Sequence, residues 1–157
     1  MQPKPHPISL RGARKGDVRT QFAALCYRMR RGKVQILLVT SRRTKRWILP
    51  KGWPMDGKTP GASAACEAWE EAGALGRVSE VSIGAYTYAK DMGNEDFVPC
   101  LVMLYPLKVK SLKRSYPEHA ERRRQWVSRK KAARMVGAAD LSRLILDFEP
   151  SFAKLKT

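Results

Sequence analysis

Three glutamates, Glu67, Glu70 and Glu71, stand at i, i+3 and i+4 in the run ASAACEAWEEA. If the run is helical, all three carboxylates share one face. Like charges at these spacings repel, and Glu70 and Glu71 fall in the last turn, where the helix dipole is already negative. No Lys or Arg occurs between Lys58 and Arg77 to relieve them. A hard divalent cation held by carboxylate oxygens turns such repulsion into a site, with Mg²⁺ or Mn²⁺ the usual occupants. The plain alternative is an acidic face turned to solvent with no role.

The surrounding residues give the helix clear limits. Thr59 is placed to be its N-cap and Pro60 its first residue, where the missing N–H costs nothing. Gly73 supplies the left-handed residue that ends it. Ala65, Ala68, Trp69 and Ala72 are expected on the opposite face, packed on a sheet. A hairpin should precede the helix: FAALCYR from Gln21, a turn at Met29–Gly32, then VQILLVT. A basic turn, Ser41–Arg46, and a short strand, WILP, lead on to Lys51 and Gly52. Beyond the helix the pattern predicts strands over 77–89, 97–109 and 125–128. Helices are expected at about 129–136 and 140–148, with Asp140 as an N-cap.

From Gly52 to Ala74 the chain resembles the Nudix box, G-x5-E-x7-R-E-U-x-E-E-x-G-U, in which U is a bulky apolar residue. Aligned on Gly52, the matching positions hold Glu67, Glu70, Glu71 and Gly73, with Ala68 and Ala74 at U. Two fixed letters differ: Lys58 stands for the first Glu, and Cys66 for the Arg before Glu67. In the family those two generally form a structural salt bridge, and losing both strands no lone charge. The approach RWILPKGWP extends the likeness, which covers roughly residues 20–148. The resemblance implies a Nudix-type α/β/α sandwich with a mixed β-sheet, an α/β fold. It also implies a metal-dependent hydrolase of pyrophosphates, with Glu67, Glu70 and Glu71 as catalytic and metal-binding residues. The general base varies in this family, so Glu67, Glu118 and Glu121 are all open. Within the family, AALCYR, LLVTSRR and RWILPKGWP look most like the diphosphoinositol polyphosphate phosphohydrolases. By position, Ser41, Arg42 and Lys51 then grip phosphates, and Gly52 lets the backbone approach them.

The 157 residues suit one domain, expected over 19–157, behind a loosely ordered basic arm over 1–18. Cys26, Cys66 and Cys100 lack metal-type spacing and are odd in number, which suits reduced thiols in a cytoplasmic protein. Neither a signal peptide nor a membrane span is expected. With 31 Lys plus Arg against 14 Asp plus Glu, the formal charge is +17 and favours polyanions. The favoured partner is a small phosphorylated substrate, a diphosphoinositol polyphosphate or a dinucleoside polyphosphate. Nucleic acid is the alternative, either as the substrate of an RNA 5′ pyrophosphohydrolase or as the ligand of a non-catalytic Nudix-fold binder. It is less favoured because interleaved aromatics and basics are missing. The oligomeric state is left open; many relatives dimerise.

Overall fold

A computed structural model describes residues 19–94 and 96–150. The expected arm over 1–18 lies outside the described residues, as do 151–157 of the expected domain. Eight strands run in chain order: β1 (Thr20–Arg30), β2 (Lys33–Thr40), β3 (Trp47–Ile48), β4 (Lys51–Gly52), β5 (Ala74–Val78), β6 (Gly84–Asp91), β7 (Phe97–Leu112) and β8 (Arg124–Ser128). The helices are α1 (Pro60–Ala72), α2 (Arg129–Met135) and α3 (Ala139–Asp147).

The strands form one sheet in the order β3-β2-β1-β7-β5, with β4 on β1, β6 on β7 and β8 on β2. The β1–β7 pair is parallel, and its neighbours are antiparallel. This is the mixed sheet expected. Strand β1 is buried on both faces, as the continuous run FAALCY requires of a central strand. Ala23, Leu25 and Tyr27 meet residues of α2 and α3 on one side. Phe22, Ala24 and Cys26 meet Ala64, Ala68 and Ala72 of α1 on the other. The layers are therefore α/β/α.

The β1–β2 hairpin closes through Arg31 and Gly32, both at positive φ (52° and 76°), the twist that a two-residue hairpin turn needs. Three expectations change. The strand read over 77–89 is two strands, β5 and β6, broken at 79–83 because Glu80 turns away to the start of α1. The N-cap of α3 is Ala138, with no side-chain bond, and Asp140 lies in the first turn, where it complements the helix dipole instead. The packed face of α1 runs through Gly61, Ala64, Ala68 and Ala72, while Ala65 and Trp69 are only half-buried at its margin. Among the described residues, no helix is long and apolar enough to cross a membrane.

Candidate active site

Helix α1 is fixed at both ends by groups far away in sequence. Thr59 is the N-cap, its hydroxyl accepting from the Ala62 N–H at 3.1 Å. The same hydroxyl donates to Glu80 Oε1 at 2.6 Å, and the Gly61 N–H donates to Glu80 Oε2 at 3.0 Å. Glu80 thus places a carboxylate at the positive end of the dipole. The incoming loop is pinned by the Met55 N–H, which donates to the Ser63 hydroxyl at 3.3 Å. These contacts supply the loop-to-helix support that a salt bridge at positions 58 and 66 would otherwise give. At the other end Gly73, at φ 65°, closes the helix as expected. Arg124 Nη1 donates to the carbonyls of Ala72 and Lys113, both at 2.7 Å, and so brings a cation to the negative end.

The three glutamates differ sharply in environment. Glu67 lies against the backbone of Gly52, so that a Cβ at residue 52 would stand 2.3 Å from Glu67 Oε1. A side chain at residue 52 would push the Glu67 carboxylate from this position. Glu71 is 4% exposed, and its Oε1 has no hydrogen-bond partner. Its carboxyl is pushed up to about 9, first by burial and then by a hydrogen bond shared with Glu67. Glu67 is raised as well, again first by burial. Burial thus draws both carboxyls toward the neutral form, and a hydrogen bond links them. Glu70 faces the thiol of Cys66, which donates at 3.7 Å, and its backbone carbonyl accepts from the Glu118 N–H at 2.9 Å.

Among the described residues, no three His, Cys, Asp or Glu side chains already converge on one point. The donor set nevertheless fits a hard divalent cation. Glu71 Oε1 is a buried oxygen without a partner, and a carboxylate kept protonated by its neighbour is one that a cation would deprotonate.

Further charged side chains surround the pair. Arg122, only 9% exposed, sends Nε to Glu118 Oε1 at 2.9 Å and Nη1 to the Thr40 carbonyl at 3.0 Å. Its Nη1 lies 3.7 Å from Glu71 Oε1, close enough to attract and too far to hydrogen-bond. Arg122 thereby holds Glu71 and Glu118 in one cluster. Glu118 is near enough to act on Glu67, whereas half-exposed Glu121 reaches only Arg42, at 3.8 Å. Arg42 is 59% exposed and also stands 3.9 Å from Glu118. Ser41 is occupied within its own turn, sharing a hydrogen bond with Thr44 at 2.8 Å and accepting from the Arg46 N–H at 3.0 Å. Lys51 lies with Nζ 4.8 Å from the Tyr88 ring centroid; burial lowers it to about 8, with Glu71 pulling it back up.

The matching family model is that of the NUDIX domain, aligned over residues 19–148. The chain belongs to this family. Among curated relatives, Nudix hydrolase 16, mitochondrial, of Arabidopsis thaliana is 34% identical over 101 residues, which cover 62% of this chain and 56% of that protein. Diphosphoinositol polyphosphate phosphohydrolase 3-beta of Homo sapiens is 30% identical over 106 residues, covering 66% and 60%. The matched segments thus span little more than half of these relatives. Among solved structures, a C. elegans Ap4A hydrolase binary complex superposes with a TM-score of 0.59 at 20% identity, over 87% of this chain and 99% of that one. A NUDIX hydrolase from Nitrosomonas europaea gives 0.63 at 17% identity, over 88% and 90%. At these identities the structures speak for the fold.

In this Nudix chain the fold brings Lys51, Gly52, Glu67, Glu71 and Glu118 together, with Arg42 at the rim. Three supporting residues carried no legible signal. Glu80 sits in what reads as a strand, and Arg122 and Arg124 sit in what reads as a solvated basic cluster. Arg122 and Arg124 reach α1 and its margin, while Arg123 lies over Trp47 instead, 5.7 Å from the ring centroid.

Proposed function

We propose that this chain is a metal-dependent pyrophosphohydrolase that cleaves a phosphoanhydride bond in a small polyphosphate, a diphosphoinositol polyphosphate or a dinucleoside polyphosphate. The observation that carries the reading is the buried, unpartnered Glu71 Oε1, on a carboxyl that is hydrogen-bonded to Glu67. Acidic groups so costly to bury have no structural use as a pair. Glu67, Glu70 and Glu71 would hold Mg²⁺ or Mn²⁺, which when bound neutralises phosphate charge and lowers the pKa of a water.

The chain's own residues supply the rest. Gly52 leaves room for the Glu67 carboxylate against the backbone, which a side chain at residue 52 would displace. Lys51, poised near neutral pH, gains charge when a phosphate lies beside it. Arg42 exchanges its long, exposed ion pairs with Glu118 and Glu121 for a phosphate. Ser41 adds a hydroxyl at the same turn. Glu118, already acting on Glu67, is better placed than Glu121 to take a proton from water. The names of the human and C. elegans relatives support this choice of substrates. A cytoplasmic setting, with Cys26, Cys66 and Cys100 unpaired, belongs to the same proposal.

The test is phosphate release from a panel of pyrophosphates, with and without divalent ions. Turnover that needs Mg²⁺ or Mn²⁺ and stops on chelation is expected. No metal-dependent turnover on any member would sink the proposal.

A further inference from the structure

Beyond Lys51 the site continues outward into aromatic rings. Trp53, next to Gly52, keeps 36% of its surface exposed, and Lys90 Nζ stands 5.9 Å from its ring centroid. Lys51, on the other side of Gly52, lies over Tyr88. Tyr88 and Lys90 are two residues apart on β6, so they rise from one face of the sheet. Lys90 is close enough to depress Lys51, and Lys51 in turn feels Glu71. Charge and ring therefore follow one another from Glu71 through Lys51 and Lys90 to Trp53.

A large ring left open to water beside a cation needs a partner that a phosphate cannot be. An inositol phosphate offers no aromatic face. A nucleobase does, whatever its identity, and stacks on tryptophan while its phosphates meet lysines. We propose that Trp53, with Lys90 over its ring, is the stacking platform for the base of a nucleoside polyphosphate whose phosphate chain runs past Lys51 to the carboxylates of α1. The inference rests on the hydrolase reading above and narrows it to the nucleotide branch. Lys90 moves off the ring to the phosphate chain as the base arrives.

Diadenosine tetraphosphate and tripolyphosphate, one with bases and one without, separate the two ideas. Trp53→Ala should raise KM for diadenosine tetraphosphate about tenfold more than KM for tripolyphosphate, the loss of one stacked base. Trp53→Phe should restore most of the difference, because a smaller ring still stacks. Stopped-flow mixing with diadenosine tetraphosphate and Mg²⁺ should quench tryptophan emission in the unchanged chain and much less in Trp53→Phe. Equal effects of Trp53→Ala on both substrates would overturn the platform and leave Trp53 a loop-packing residue. No effect on either would overturn it too. If the unchanged chain cleaved neither compound but turned over another pyrophosphate, the hydrolase reading would stand and the platform would be overturned.

Discussion

The carboxylate face of α1 and the basic turns on either side of β2 are both charge clusters, and they are built in opposite ways. Glu71 is buried and faces a buried guanidinium, and half-buried Glu67 is hydrogen-bonded to it. Arg42 and its neighbours stand in water with ion pairs near 4 Å, which contribute little to stability. A cluster that the fold maintains at a cost performs a task, whereas an exposed cluster is defined by where it lies. The two basic turns make the point between themselves. Ser41–Arg46 touches the site through Arg42, but Arg30, Arg31 and Lys33 sit at the far end of β1. At ~3.4 Å per residue that end is roughly 27 Å from Phe22, the partner of Gly52. Close in sequence as the two turns are, strand direction divides them. Arg28 is also diverted, bonded to Gln35 at 2.8 Å and stacked on Trp126 at 4.3 Å.

Removing a charge from the buried cluster should have the largest effect. Glu70→Gln or Glu71→Gln is expected to lower kcat by at least about a hundredfold, since even the outer partners of metal ligands cost 10- to 100-fold when lost. Circular dichroism should show the fold unchanged. Near-normal turnover in both variants would make the buried cluster no different in kind from the exposed turns.

A smaller effect should appear in stability. Glu71 titrates near the usual carboxylate range when unfolded and at about 9 when folded. Its folded-state pKa is raised, so the protein free of metal is least penalised below pH ~4.5 and loses stability as pH climbs toward ~9. Mg²⁺ should therefore raise Tm more at pH 8 than at pH 5, by a few degrees, each ~1 kcal/mol being worth about 2–4 °C in a domain of this size. Glu71→Gln should raise Tm of the metal-free protein at pH 8 and abolish the difference. An identical metal shift at both pH values would mean that the cation binds elsewhere.

The smallest effects should distinguish the two turns. Arg42→Ala should raise KM for a polyphosphate several-fold with less change in kcat, as fits a contact made equally in ground and transition states. Added salt should weaken binding in the same sense. Arg30→Ala, Arg31→Ala and Lys33→Ala, assayed together, should leave KM within about twofold. Equal losses from both turns would restore the view that net charge, rather than position, draws the substrate in.

Much of this architecture was legible because it is local. Thr59, Pro60 and Gly73 act within one turn of the helix they bound, so their chemistry is visible in the order of residues. The hairpin was equally open to reading, since two apolar runs and the Gly32 turn between them decide it alone. The supports of the site were not, because they arrive from distant parts of the chain. Nothing about Glu80 announces that it will leave a strand to reach Thr59. Nor does the run Arg122–Arg124 say that its first and third members turn inward. The apparent absence of basic residues near the glutamates was correct in sequence and wrong in space: Arg122 and Lys51 supply them. Glu71 looked like one of three equal carboxylates, and burial, which depends on the sheet beneath it, sets it apart.

The parallel pairing of β1 with β7 has a consequence for how the chain is made. Thr20 meets Leu101 across about 80 intervening residues, so the most buried strand finds its second neighbour late in synthesis. At roughly 5–20 residues per second, β1 leaves the ribosome some ~4–16 s before β7 can join it. During that interval FAALCY is covered on one edge by β4 and the start of the β2 pairing and open on the other, an apolar template for any passing strand. Refolding should accordingly be slow, limited by this long-range closure, and yield should fall as protein concentration rises.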